Sequence, residues 1–369
     1  MARRLKGGKA EVSDAGSGHS SALRHGAVQL PAIVVDTYNA DLRDAEGFVG
    51  DRASRRAFAA LVEDWRERLR KLGHEDPFGD IPAAELKKKK LDKVLLGGDP
   101  KAAALVHSAT EDFAHELAEV IRRLLRLKEW RETQTILIGG GFRASRLGEL
   151  AIGRAELLLK ADGRNVELEP IRYHPDEAGL IGCVQLAPSW VFSGHGAILA
   201  VDIGGTNIRA GLIELNLKKA KNLSAARVRI SDLWRHADDE PSRDKAVERI
   251  AEMLKSLIKC SEREGLALAP FAGIGCPGLI RDDGSIERGG QNLPGNWEAK
   301  KFNLPERIRE LIPLIGGHET CVVVHNDAVV QGLSEVPFMR KVPQWAILTI
   351  GTGLGNAHFS ARKPLKKRR

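Results

Sequence analysis

Residues 197–215 read AILAVDIGGTNIRAGLIEL. An apolar run stops at Asp202, a polar turn with two glycines follows, and a second apolar run alternates away from it. The pattern predicts a strand, a tight turn and a returning strand. A second unit of the same kind, WAILTIGTGLGNAHFS, occupies residues 345–360. Backbone N–H groups in a glycine turn can point into an open concavity, and the missing side chains let a phosphate come close. A hairpin also uses glycine merely to reach positive φ, so one such turn says little. Two of them suggest a clamp on a nucleoside triphosphate, with Gly204, Gly205, Thr206 and Asn207 on one side and Gly351, Thr352 and Gly353 on the other. Asp202 is the candidate for holding Mg²⁺, directly or through water.

The other motifs surround these turns. Gly139, Gly140 and Gly141 form a triple glycine between a predicted strand and a predicted helix. They could approach an adenosine, serve a Rossmann-type loop, or simply make a turn that needs small residues; the spacing is not GxGxxG. The stretch VVVHNDA places Asn326 and Asp327 where a buried strand ends. An aspartate there is either a helix N-cap or a base that takes the proton from an attacking hydroxyl. Gly278, Gln291, Asn292 and Asn296 lie in CPGLIRDDGSIERGGQNLPGNW. Amide side chains suit sugar hydroxyls, and they equally suit plain turns.

The 369 residues predict two or three domains, and a hydrophobic content of 43% is that of an ordinary globular protein. Strands alternate with helices, which indicates an α/β fold. Helices are predicted at 52–72, 83–96, 100–128 and 242–264, a last helix of the first half ends at Ala187, and shorter ones cover 305–315 and 328–336. No apolar run approaches the roughly 18 residues of a membrane helix, and none follows the basic start as a secretory signal would require. Cys183, Cys260, Cys276 and Cys321 have neither CxxC nor zinc-ligand spacing, so four reduced thiols in the cytoplasm and no zinc site are expected. The net charge of +8 comes from the ends. Residues 1–10 carry four basic side chains and residues 361–369 carry six, with no acid; the rest of the chain has a net charge of −2. Basic tails can bind nucleic acid, but solvated termini are the favoured reading, and no other feature points to nucleic acid.

Taken in order, these motifs resemble the ROK family of sugar kinases and repressors, within the actin-like ATPase superfamily. AVDIGGTNIRAGL resembles its first phosphate motif, GIGCPGLI with QNLPGNW its sugar-side signature, HNDA the stretch with the catalytic aspartate, and LTIGTGLGNA its second phosphate motif. Residues 85–187, with ILIGGGF and HPDEAGLIGCVQLA, resemble the family's C-terminal half, yet here they come first. A circular permutation is therefore expected, with the connector PSWVFSGHG leading into the usual first strand. The resemblance implies a two-lobed actin-like ATPase (ribonuclease H-like) fold with a cleft between lobes. The expected division is a flexible segment 1–30, an adenosine-side lobe 31–190, a phosphate and sugar lobe 195–360 and a tail 361–369. It implies ATP and Mg²⁺ as cofactors, a hexose acceptor, a homodimer, no membrane partner, Gly139–Gly141 beside adenosine, Gly278, Gln291, Asn292 and Asn326 on the sugar, and Asp327 as base. The family's zinc cysteines and sugar-contacting glutamate are not evident, and His19 stands where its histidine would be. A non-catalytic sugar sensor is the alternative. A nucleotide-dependent oxidoreductase built on IGGGF is a weaker one.

Overall fold

The computed structural model describes residues 23–45 and 47–362. His19 and the tail residues 1–10 and 363–369 lie outside them.

Two five-stranded sheets organise the described residues. Their strands in chain order are β1 (Ile33–Tyr38), β2 (Thr135–Gly139), β3 (Glu167–Pro170), β4 (Ala197–Ile203) and β5 (Ile208–Glu214). There follow β6 (Arg227–Trp234), β7 (Leu268–Cys276), β8 (Cys321–Asn326), β9 (Gln344–Ile350) and β10 (Leu354–Ala361). Both glycine units form the hairpins expected of them, β4–β5 and β9–β10. The main helices are α1 (Arg55–Lys71), α2 (Lys88–Gly97), α3 (Pro100–Leu124), α4 (Arg146–Ala161), α5 (Pro175–Gly182), α6 (Arg243–Arg263), α7 (Leu304–Leu311) and α8 (Asp327–Leu333).

The first sheet runs β8-β7-β4-β5-β6, with β5 antiparallel to β4 and β6, and with β7 and β8 parallel to β4. The second runs β1-β10-β9-β2-β3, with β10 antiparallel to β9 and β1, and with β2 and β3 parallel to β9. Each sheet is thus a hairpin, a third antiparallel strand beside its second arm, and two parallel strands beside its first arm. The result is an α/β arrangement of two sheets built to one plan.

Chain order distinguishes the two sheets. In the first, the hairpin precedes its third, fourth and fifth strands. In the second, β9–β10 comes last and β1, β2 and β3 come first. The first and last strands meet at this point: Ile33 pairs with Ala361, and the Arg362 guanidinium donates to the carbonyls of Leu30 and Pro31 at 3.3 Å. Gln344–Ala361 consequently lies in the sheet of β1–β3, not in the sheet of β4–β8. The expected boundary between lobes 31–190 and 195–360 is corrected here, because a division by contiguous sequence cannot follow a hairpin that returns to the far sheet.

Helices fill three layers. α1–α4 cover the outer face of the second sheet, where the rings of Phe58, Phe113 and Phe142 lie 4.7–5.7 Å apart. α6 covers the outer face of the first sheet with Ile250, Leu254 and Leu257. Between the sheets, α5 and α8 share a core with Leu137, Ile347, Ile198 and Phe271. β4 is covered on both faces, and all seven of its residues are buried. β6, at an edge, alternates and exposes Arg227 and Arg229.

Local signals start and stop these helices. Asp99 accepts from the N–H of Ala102 at 2.9 Å and Pro100 occupies the first turn, so GGDP separates α2 from α3. α2 starts at Lys88, later than the predicted 83, because Ala83–Glu85 close a separate 3-10 turn after Pro82. α5 stops at Gly182, and Cys183–Gln185 continue as a 3-10 turn. No helix among the described residues is long and apolar enough to cross a membrane.

Candidate active site

The two hairpin turns face each other across a cleft of about 890 Å³. Each first glycine spends its N–H on its own turn: Gly204 donates to the carbonyl of Asn207, and Gly351 to that of Gly353, both at 2.9 Å. The N–H groups of Gly205, Thr206 and Thr352 have no backbone acceptor among the described residues. At the tips the hydroxyls of Thr206 and Thr352 are 3.1 Å apart. Donors from two separate sheets therefore converge on one place, as an anion clamp requires. His236 steadies the first turn from outside, its Nε2 lying 2.9 Å from the carbonyl of Gly204.

Two carboxylates form the floor. Asp202 is the penultimate residue of β4 and is 8% exposed. Burial raises its pKa, Arg209 at 3.7 Å opposes that, and the charge of Asp176 adds to it. Asp202 lies against α5 at Gly179, where a Cβ would stand 2.5 Å from its carboxyl carbon. A glycine is thus required for strand and helix to approach. Arg209 also pairs with Asp176, which leaves Asp202 only a distant cationic partner. A buried carboxylate with such weak compensation is chemically suited to a divalent cation arriving with a nucleotide.

Asp327 opens α8 at the end of β8. Its Oδ1 accepts from the N–H of Ala328 at 2.9 Å and from the side-chain amide of Asn326 at 3.1 Å. Burial, followed by the charge of Asp202, raises its pKa to about 7. A carboxylate held there is poised to accept a hydroxyl proton near neutral pH.

Most of the expected residues meet in this cleft. Asp202, Gly204, Gly205, Thr206, Asn207, Gly278, Gln291, Asn292, Asp327, Gly351, Thr352, Gly353, Gly140 and Gly141 all line it. Gly140 has φ +79, and a Cβ there would meet the carbonyl oxygen of Ile350 at 2.4 Å. The triple-glycine turn is therefore seated on the end of β9.

Three residues are corrected. Asn326 is fully buried and is not placed on the cleft: its Oδ1 caps α8 through the N–H of Val329 at 3.1 Å, and its amide donates to the carbonyl of Gly278. Gly139 is buried at the end of β2, packed against Gln331. Asn296 closes a turn through the N–H of Glu298 at 2.9 Å.

Several lining residues were not anticipated. Gln331 accepts from the N–H of Gly140 at 3.0 Å and ties α8 to the second lobe. It follows Asp327 by four residues, so helical spacing could have found it. Arg55, Lys88, Asp176 and Arg209 also line the cleft. Only Arg209 carries a local signal, since it leaves the first glycine turn on the returning strand.

A model of the ROK family matches residues 198–366. No curated protein matches the chain. Among solved structures, the chain is similar to a candidate sugar kinase from Cytophaga hutchinsonii at 23% identity, over 44% of this chain and 47% of that one, with a TM-score of 0.34. It is similar to a candidate N-acetylmannosamine kinase from Listeria monocytogenes at 24% identity, over 47% and 50%, with a TM-score of 0.32. A third likeness is to an exopolyphosphatase from Cytophaga hutchinsonii, at 18% identity over 45% and 52%, with a TM-score of 0.27. The chain spans about half the length of the solved structures it matches. Over residues 198–366, which hold both glycine turns and Asp327, the chain is similar to the ROK family.

Proposed function

We propose that this chain phosphorylates a hexose hydroxyl with ATP, as a glucokinase-like sugar kinase. One observation carries the proposal. Thr206 and Thr352, on turns from two different sheets, come within 3.1 Å of each other in a cleft that also holds Asp202 and Asp327.

In this proposal the free amides of Gly205, Thr206 and Thr352 hold the triphosphate, and Gly140–Gly141 lie against the adenosine. Mg²⁺, held through Asp202, would neutralise phosphate charge and align the terminal phosphoryl group. Gln291 and Asn292 orient the sugar, and Asp327 accepts the proton of the attacking hydroxyl as the oxygen–phosphorus bond forms and ADP leaves. Catalysis is then chiefly positioning and charge stabilisation. We also assign the chain as a circular permutant, supported by the matching plan of the two sheets and by the pairing of Ile33 with Ala361.

The test is ADP release from Mg·ATP across a panel of hexoses and amino sugars. Release that depends on one sugar is expected. ATP binding without sugar-dependent release from any of them would overturn the kinase and favour a sugar sensor.

A further inference from the structure

The cleft contains more cations than the proposed reaction has yet used. Four of them are satisfied: Arg43, Arg56, Arg209 and Arg235 pair with Asp41, Asp51, Asp176 and Asp238. Arg55, Lys88 and Arg288 line the same cleft and form no ion pair among the described residues, and of these Arg55 and Lys88 are tied to the second glycine turn and the triple-glycine turn.

These two sit at one end. The N–H of Arg55 donates to the carbonyl of Gly351 at 2.9 Å, so α1 begins on the second phosphate turn. The ammonium of Lys88 donates to the carbonyl of Gly141, so α2 begins on the triple-glycine turn. Both helices start with cations, Arg55 and Arg56 in one and Lys88, Lys89 and Lys90 in the other, and neither has an acid in its first turn. A helix N-terminus repels cations. Two helix starts and two unpaired side chains therefore direct positive potential at the same place. Lys88 is half-buried; burial lowers its pKa and the charge of Arg55 lowers it further. Two like charges thus face one cavity.

We infer that Arg55 and Lys88 form a phosphate subsite between the second glycine turn and the triple-glycine turn. There they contact the phosphates that join the nucleoside to the transferred group. The general chemistry is that of a phosphoanhydride dianion held by charge-assisted hydrogen bonds. That the anion belongs to a nucleotide rests on the kinase assignment.

Isothermal titration of ATP, ADP, adenosine and tripolyphosphate into wild type, Lys88→Gln, Arg55→Gln and Lys88→Arg tests this. Each glutamine variant should raise the Kd of ATP and ADP about tenfold or more, leave that of adenosine unchanged and reduce the salt dependence. Lys88→Arg should recover most of the loss. Unchanged ATP affinity in both glutamine variants, or wild type binding adenosine as tightly as ATP, overturns the subsite. Tripolyphosphate binding lost in Lys88→Gln, with no nucleotide binding by wild type, keeps the subsite and sinks the nucleotide assignment. No binding of any phosphate sinks both.

Discussion

Asp327 holds a charge that its surroundings disfavour. Burial and the charge of Asp202 raise its pKa to about 7, whereas an unfolded aspartate titrates near about 3.9. Between those values the folded chain binds a proton that the unfolded chain has lost, so stability falls as pH rises through that window and then stays level. Asp327→Asn should therefore melt above wild type at pH 8, by an amount of the order of a few kcal/mol, and the gap should close toward pH 4. Thermal unfolding at several pH values checks this; a gap independent of pH would contradict it. The same titration should make kcat/KM fall below pH 7 in wild type. The neighbouring residue shows where sequence reasoning stops. Both Asn326 and Asp327 end an apolar strand, and both looked ready for ligand. The helix start consumes Asn326 as its cap, and leaves Asp327 one carboxylate oxygen with no partner among the described residues.

At the scale of elements, turns position the chemistry. Gly140 sits with φ +79 against the carbonyl oxygen of Ile350, and its N–H donates to Gln331. Gly140→Ala should cost about 1–3 kcal/mol of stability, because the added carbon must displace backbone rather than a flexible side chain. It should weaken nucleotide binding as well, since the turn must move. Denaturant melts together with ATP titration measure both effects; a variant as stable as wild type would contradict this packing. The glycine hairpins and the amphipathic helices were legible because their signals are local: period, cap and turn chemistry. The convergence of α1 and α2 on the cleft was not. Lys88 and Gly141 are far apart in sequence, and a run of lysines alone reads as a solvated face. Gln331 was legible in principle, as its register with Asp327 follows from the helix itself.

At the scale of the whole molecule, the order of the elements is separable from their arrangement. Arg362 already reaches Leu30 and Pro31, so a short linker should join the described ends with little strain. The connector between α5 and β4 is exposed at Ser193 and Gly194. A chain restarted at Gly194 and linked from 362 back to 23 should fold with the same circular dichroism and a similar melting temperature. Failure to fold would contradict the assignment of a permuted closed topology. The motif order is what suggests the proposed permutation, whereas the pairing of β9–β10 was not legible, because it returns to a sheet begun some three hundred residues earlier. The central claim is that turns and carboxylates scattered through the chain serve one phosphoryl transfer. Its most direct test is transfer of the labelled terminal phosphate of ATP to the preferred sugar, by wild type and by Asp327→Asn, with ATP affinity measured in both. The account predicts that transfer falls at least a hundredfold in the variant, within the range for losing a positioned base, while ATP affinity is kept. Transfer at the wild-type rate would contradict it.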